Sequence, residues 1–296
     1  MFALTRQEIV LIGITAIWGT TYLIVHTAML TCGPCFYVGL RFATAGLAAM
    51  FLFRHTLPGL TKHELAIGLL IGAIILIGYV GQTIGLKTVT SSQSAFLTAL
   101  FVPLVPLLQW LIFRRAPGMM RLIGVCIAFV GLLLLTGTHA DGLSFSFGEI
   151  LTLIGTVAFS VQIVLIGYFA PSVDSKRVTV VELLFCAVGA FLLMPVTGET
   201  VPAFSWVWLV AAIGLGLATT GIQLAMNWAQ KTVNPTRATL IYAGEPVWGG
   251  IAGRLAGDRL PPASFVGAGL IILAVLISEL KMPRHPRTIR HAKAET

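Results

Sequence analysis

Ten transmembrane helices, arranged as two five-helix repeats threaded in opposite senses, make up the all-α integral membrane fold that this sequence predicts. Three observations predict it. The 296 residues are 57% hydrophobic and only 10% charged, with a mean hydropathy of +0.93, whereas soluble domains carry about 25% charged residues. Apolar runs able to cross a bilayer, roughly 17–25 residues each, recur from end to end. A series of small polar motifs in the first half also returns, in the same order, in the second.

The runs fall at about 8–27, 35–53, 65–85, 92–113, 119–138, 148–169, 178–197, 205–228, 238–255 and 262–281. The first is longer than the roughly 7–15-residue core of a signal peptide, and no small-x-small cleavage site follows it, so it reads as an uncleaved span. The second carries Arg41 and the seventh Glu182, each a turn or two from a helix end, where snorkelling to the interface is expected. The third contains IGYVGQTIGL and the eighth GIQLAMNWAQ, both dotted with polar side chains. The fourth and ninth hold central prolines, Pro103 and Pro246, and the sixth has Gln162 near its midpoint. The connections are short, and none is long or polar enough to fold as a separate soluble domain.

Lysine and arginine set the orientation. One side collects Arg6, Arg54, Lys62, Arg114, Arg115, Arg121, Lys176, Arg177, Lys231 and Arg237, and the tail adds Lys281, Arg284, Arg287, Arg290 and Lys293. The other side has Lys87, Arg254 and Arg259. Both termini are therefore expected in the cytoplasm. The net charge of +8 reflects topology and does not point to nucleic acid. The basic tail, residues 282–296, is expected to attract anionic lipid.

The repeat is weak in identity and consistent in order. Lys87-Thr88-Val89 and Lys231-Thr232-Val233 each follow a polar-dotted helix and precede a small polar group, TSSQSA or NPTRA. Beyond these lie Pro103 and Pro246, and a shift of 141 sets Trp18 over Phe159 and Arg41 over Glu182. Residues 1–140 and 141–281 are the expected halves. An odd number of spans duplicated in tandem must enter the membrane from opposite sides, the pattern of transporters whose site lies at the midplane between repeats.

AIWGTTYLIV at the start, LRFATAG in the second span and the Glu-Pro of the ninth resemble the drug/metabolite transporter superfamily, EamA branch, over nearly the whole chain. Within that branch the likeness is to the YddG-type amino-acid exporters. The resemblance implies ten spans from two five-helix repeats and the export of amino acids or other metabolites. In one respect the chain departs from the pattern: Arg114-Arg115 stand where the first half of many members has an acid.

Candidate site residues come from the polar and aromatic side chains near mid-span. Glu245 sits about 10 Å into its span at 1.5 Å per residue. An ionisable group at that depth either meets cargo, a proton or water, or is held by a neighbouring helix. The resemblance implies that many members carry this Glu-Pro while their substrates differ, which favours the structural role. Tyr242, one turn earlier, suits either role. Trp18, Tyr79 and Phe101 supply apolar walls, while Gln82, Thr83 and Gln162 supply the donors and acceptors that a zwitterion needs. Such amides also join helix to helix, at about 0.6–2 kcal/mol each. Pro103, Pro246, Gly244 and Gly249 are the expected hinge.

The CGPC of Thr31–Cys35 matches a thioredoxin pattern but has no strand context; a local Cys32–Cys35 disulfide on the oxidising face is the alternative. No GxxxxGK, HExxH or metal-ligand spacing occurs, so no cofactor is expected. The resulting expectation is a secondary transporter, not an enzyme, exporting amino acids across a bacterial inner membrane as a monomer or weak dimer. A multidrug exporter of lipophilic cations using Glu245 is the rival reading. With Glu245 the one buried carboxylate in view, facilitated diffusion is favoured over proton coupling.

Overall fold

A computed structural model describes residues 5–114, 119–136, 145–257, 259 and 262–278, and all regular structure among them is helical. The basic tail and Arg115 lie outside the described residues. The helices are α1 (Arg6–Ala28), α2 (Pro34–Phe53), α3 (Lys62–Gly85), α4 (Ser91–Thr98), α5 (Phe101–Phe113), α6 (Met119–Thr136), α7 (Phe147–Phe169), α8 (Ser175–Leu193), α9 (Trp206–Ala229), α10 (Pro235–Tyr242), α11 (Glu245–Leu255) and α12 (Pro262–Ser278). Among the described residues, six stretches are long and apolar enough to cross a membrane: Arg6–Ala28, Pro34–Phe53, Lys62–Gly85, Ser91–Ile112, Phe147–Ser172 and Trp206–Ala229.

Starts are written in the sequence. Thr5 with Glu8, Thr61 with Glu64 and Ser146 with Glu149 form reciprocal capping boxes that satisfy the first free N–H groups of α1, α3 and α7. The seventh apolar run, expected at 178–197, instead forms a helix over Ser175–Leu193. Asp174 Oδ1 accepts from Lys176 N at 2.8 Å and opens the helix early. Pro195 has no N–H to continue the ladder, and the helix closes early.

The fourth and ninth runs are each broken in two. Each break lies one turn before its proline, because a proline ring clashes with the carbonyl four residues back. For Pro103 that carbonyl belongs to Ala99, the residue that caps α4, and Val102 N turns to it in a tighter bond of 3.0 Å. For Pro246 it belongs to Tyr242, the last residue of α10, and Gly244 N bonds Ile241 O at 3.2 Å. Gly244 lies in the break. Gly249 lies a full turn inside α11, where a Cβ would come within 2.5 Å of Ala95 Cβ; it is a point of close approach to α4.

Contacts between the halves come in exchanged pairs. α2 packs on α8 and α6 on α12; α3 on α7 is matched by α1 on α9, α3 on α8 by α2 on α9, α1 on α10 by α4 on α7, and α1 on α11 by α5 on α7. A two-fold relation between halves requires this pattern. His26, near the end of α1, bonds Leu86 O at 2.9 Å, and the adjoining Gly85 packs on Gly148. The start of α7 therefore lies beside the end of α1.

The snorkelling expected of Arg41 and Glu182 does not occur: they are 3% and 0% exposed. Each finds internal partners instead, so neither head has to leave the bundle. Arg41 Nε donates to Thr219 Oγ1 at 3.0 Å and its guanidinium lies 5.0 Å from the centre of the Tyr79 ring. Glu182 Oε1 accepts from Asn227 Nδ2 at 2.8 Å.

Candidate functional site

The two helix breaks determine what faces the middle of the bundle. Phe101 is the first residue of α5 and Glu245 the first of α11, and both line one central cavity of about 40 Å³. α1 adds Trp18, Thr21 and Tyr22; α3 adds Tyr79 and Gln82; α4 adds Thr98; α7 adds Phe159, Gln162 and Ile163. A cavity of that size holds a few waters and no larger guest.

Its polar groups form two connected sets. The Tyr22 hydroxyl donates to Glu245 Oε1. Gln82 Nε2 reaches the same hydroxyl at 3.4 Å and donates to Thr98 Oγ1 at 3.0 Å. On the other wall Gln162 Nε2 donates to Gln223 Oε1 at 3.2 Å. No basic side chain lies within ion-pair distance of Glu245 among the described residues. A carboxyl at the first turn of α11 is favoured by the helix dipole and held by one phenol. The arrangement can accept a hydrogen bond or a positive charge from a guest, provided Tyr22 yields its place.

Of the residues singled out from the sequence, Trp18, Tyr79, Gln82, Phe101, Gln162 and Glu245 line the cavity. Tyr242 does not line it. It is fully buried behind the wall, with its ring set edge-on to Trp18 at 5.1 Å and to Phe101 at 6.3 Å. Thr83 is buried in α3 and is not part of the lining either. Sequence reasoning named none of Tyr22, Thr98, Phe159 and Ile163 as lining residues. Tyr22 lies one helical turn from Trp18 and that spacing points to it. Thr98 comes into view only through the break that follows it.

The lining also repeats. Trp18, Thr21 and Tyr22 of α1 stand 141 positions before Phe159, Gln162 and Ile163 of α7, and all of them face the cavity. Phe101 and Glu245, 144 apart, occupy equivalent first turns. The duplicated frame therefore presents a tyrosine and an acid on one side where it presents apolar groups on the other.

Two larger hollows, about 420 and 630 Å³, open on the perimeter and are lined mostly by apolar side chains such as Phe96, Phe265, Leu23 and Trp206. They have no converging polar set. No group of His, Cys, Asp and Glu suited to a metal ion occurs among the described residues. Cys32 and Cys35 are buried free thiols and not a disulfide. Burial, followed by the nearby Glu199 charge, pushes the Cys32 thiol up to about 12, so it is a poor nucleophile.

Comparison with known proteins agrees with this architecture. The profile of the EamA-like transporter family matches twice, over residues 5–137 and 146–280. An Archaeoglobus fulgidus protein named an uncharacterized transporter is 27% identical over 272 residues, covering 91% of this chain and 84% of its own length. The uncharacterized inner membrane transporter YedA of Escherichia coli K12 is 28% identical over 292 residues, covering 91% of this chain and 89% of its own. A solved crystal structure superposes with a TM-score of 0.68 at 19% identity, covering 93% of this chain and 97% of the other; that likeness concerns the fold alone.

Proposed function

Because the chain belongs to the EamA-like transporter family, we propose that it is a secondary transporter of the bacterial inner membrane that exports neutral or aromatic amino acids by alternating access. One observation carries the substrate reading: a mid-bundle cavity in which amides, hydroxyls and one carboxyl converge between aromatic walls. A zwitterion needs an acceptor for its ammonium, donors for its carboxylate and an apolar surface for its side chain. Glu245 offers the first, Gln82 and Gln162 the second, and Trp18, Tyr79 and Phe159 the third. YedA, the Escherichia coli relative with an inner membrane name, supports the location.

In this reading residues 1–140 and 141–281 are inverted halves of five spans each, with both termini in the cytoplasm and the basic tail on anionic lipid. The exchanged contact pairs between halves support it. Rocking of one half on the other opens the cavity to each face in turn. The α4–α5 and α10–α11 breaks bend as it does so, because the regular i→i−4 ladder is already interrupted there. Tyr22 is then the group that leaves Glu245 when cargo enters.

The test is flux in proteoliposomes with labelled amino acids and organic cations offered side by side. Saturable flux of a neutral amino acid, reduced roughly tenfold by Gln82→Ala or Gln162→Ala at equal folded yield, is the expected result. No amino-acid flux, with cation efflux abolished by Glu245→Gln, overturns it in favour of a multidrug exporter. That rival has its own support, since Glu245 is ringed by Trp18, Tyr79, Phe101 and Phe159, a setting suited to a lipophilic cation.

A further inference from the structure

We propose that Glu182 is a proton-binding site that couples transport to a proton gradient, an inference that deepens the transporter reading above and rests on it. Glu182 is fully buried in α8, in the interior of a membrane bundle. Its Oε1 accepts from Asn227 Nδ2 at 2.8 Å, while its Oε2 is buried without a partner. No basic group lies within ion-pair distance of it among the described residues. A carboxylate with one bare oxygen in such surroundings is strongly unfavourable, and gaining a proton is the simplest way to relieve it. The group is built to exchange a proton, because nothing else in its shell neutralises it.

A route leads to it. Ser175, Thr179 and Glu182 follow at spacings of four and three on one face of α8, and all three are buried. Thr179 Oγ1 accepts from the same Asn227 amide at 2.9 Å, and Ser175 Oγ donates to Asn227 O at 3.1 Å. This polar line begins at the end of α8 that carries Lys176 and Arg177. On the inner side, Gln223 lies one turn from Asn227 on α9 and holds Gln162 of the cavity wall, with its own Nε2 lacking a partner. The proton site is thus joined to the cargo site through two side chains and one helical turn.

The groups facing this part of α8 can be named element by element. From α2 come Arg41 and Tyr37, from α3 come Tyr79 and, at its start, Glu64 paired with Arg177; α9 offers the amide of Asn227 and no ionisable group, and α8 itself adds Cys186. Arg41, capped by Thr219 and the Tyr79 ring, has no carboxylate within ion-pair distance among the described residues. Held at Thr219 and Tyr79, Arg41 lies outside ion-pair distance of Glu182 and leaves a negative charge there without a neutralising partner. Each cycle binds one proton to the Glu182 carboxylate from the side of higher proton activity and releases it to the other. Only the carboxyl O–H bond is made and broken. Glu245 is left free for cargo, so among the described residues Glu182 is a further buried carboxyl, separate from the cavity, where the sequence suggested Glu245 alone.

The proposal is tested first without any substrate. The apolar reagent dicyclohexylcarbodiimide, added to the intact protein in lipid, attacks buried protonated carboxyls; peptide mapping by mass spectrometry should find a Glu182 adduct that declines as pH rises. Then, in proteoliposomes, Glu182→Gln should retain exchange between equal internal and external amino-acid pools within about twofold, and lose accumulation driven by an imposed pH gradient. Glu182→Asp keeps a carboxyl and should keep the gradient response with a displaced pH profile. Absence of a pH-dependent adduct, or gradient-driven accumulation that survives in Glu182→Gln, overturns the proposal. An adduct that titrates in a protein without amino-acid flux supports the proton site and overturns only the amino-acid reading.

Discussion

Two contacts between the halves differ in strength while sharing one geometry. At the start of α1, Glu8 meets Arg237 of α10 in an ion pair. At the start of α7, Glu149 accepts from Gln93 of α4 at 2.6 Å, a contact with one neutral partner. Glu8 and Glu149 both occupy the third helical position of a capping box, and Gln93 and Arg237 are 144 apart. The start of α7 lies beside the end of α1, so these contacts clasp opposite ends of the bundle. The repeated frame keeps the site of each clasp, and one of the two is charged. The difference teaches that two ends built on one frame are not equally easy to part.

The sharpest way to break that comparison is to reverse its one cation. Arg237→Glu sets a second carboxylate against Glu8, and like charges across an interface are strongly unfavourable. That end should stay open, with flux lowered by roughly tenfold or more and single cysteines along α10 becoming reactive from that side alone. Unchanged flux and unchanged reactivity remove the clasp from consideration.

A smaller effect should come from equalising the ends. Gln93→Arg gives Glu149 the partner Glu8 already has. Opening at the start of α7 then slows, and flux falls by about two- to fivefold while thermal stability rises slightly, the scale of a partly exposed pair. A rise in flux contradicts the assigned roles of the two ends.

The smallest readout uses a native thiol at that same end. Cys32 follows α1, and with its proton held up to about 12 it should alkylate slowly at pH 8. Thiolate is the reactive form, so the rate should climb about tenfold per pH unit as pH rises toward that value. A rate that levels off near pH 9, as for a free thiol, shows Cys32 to be exposed.

Much of this was readable in the chain. The apolar runs mark the helices to within a few residues, since lipid requires every backbone group to be bonded inside its own segment. Trp18, Tyr79, Gln82, Gln162 and Glu245 stand out as polar or aromatic groups at mid-span and do meet in one cavity. Arg41 and Glu182 were misread for a physical reason: distance from a helix end is visible in sequence, but Thr219 and Asn227, which let them stay inside, lie on another helix. Of the expected hinge residues Pro103, Pro246, Gly244 and Gly249, Gly244 lies in a break, while the prolines follow theirs because the steric conflict falls four residues earlier, at Ala99 and Tyr242.

The sequence by itself determined that the chain enters lipid, how many apolar runs it offers, where capping boxes start them and which residues are too polar to face hydrocarbon. These are local properties, decided by each segment's own hydropathy and hydrogen bonding. Tertiary structure alone decided that Tyr22 holds Glu245, that Tyr242 stands behind the wall, and that a second acid is buried with a bare oxygen. Those facts depend on which helix packs beside which, and side chains some 220 positions apart, as in Tyr22 and Glu245, become neighbours only when the halves close on each other.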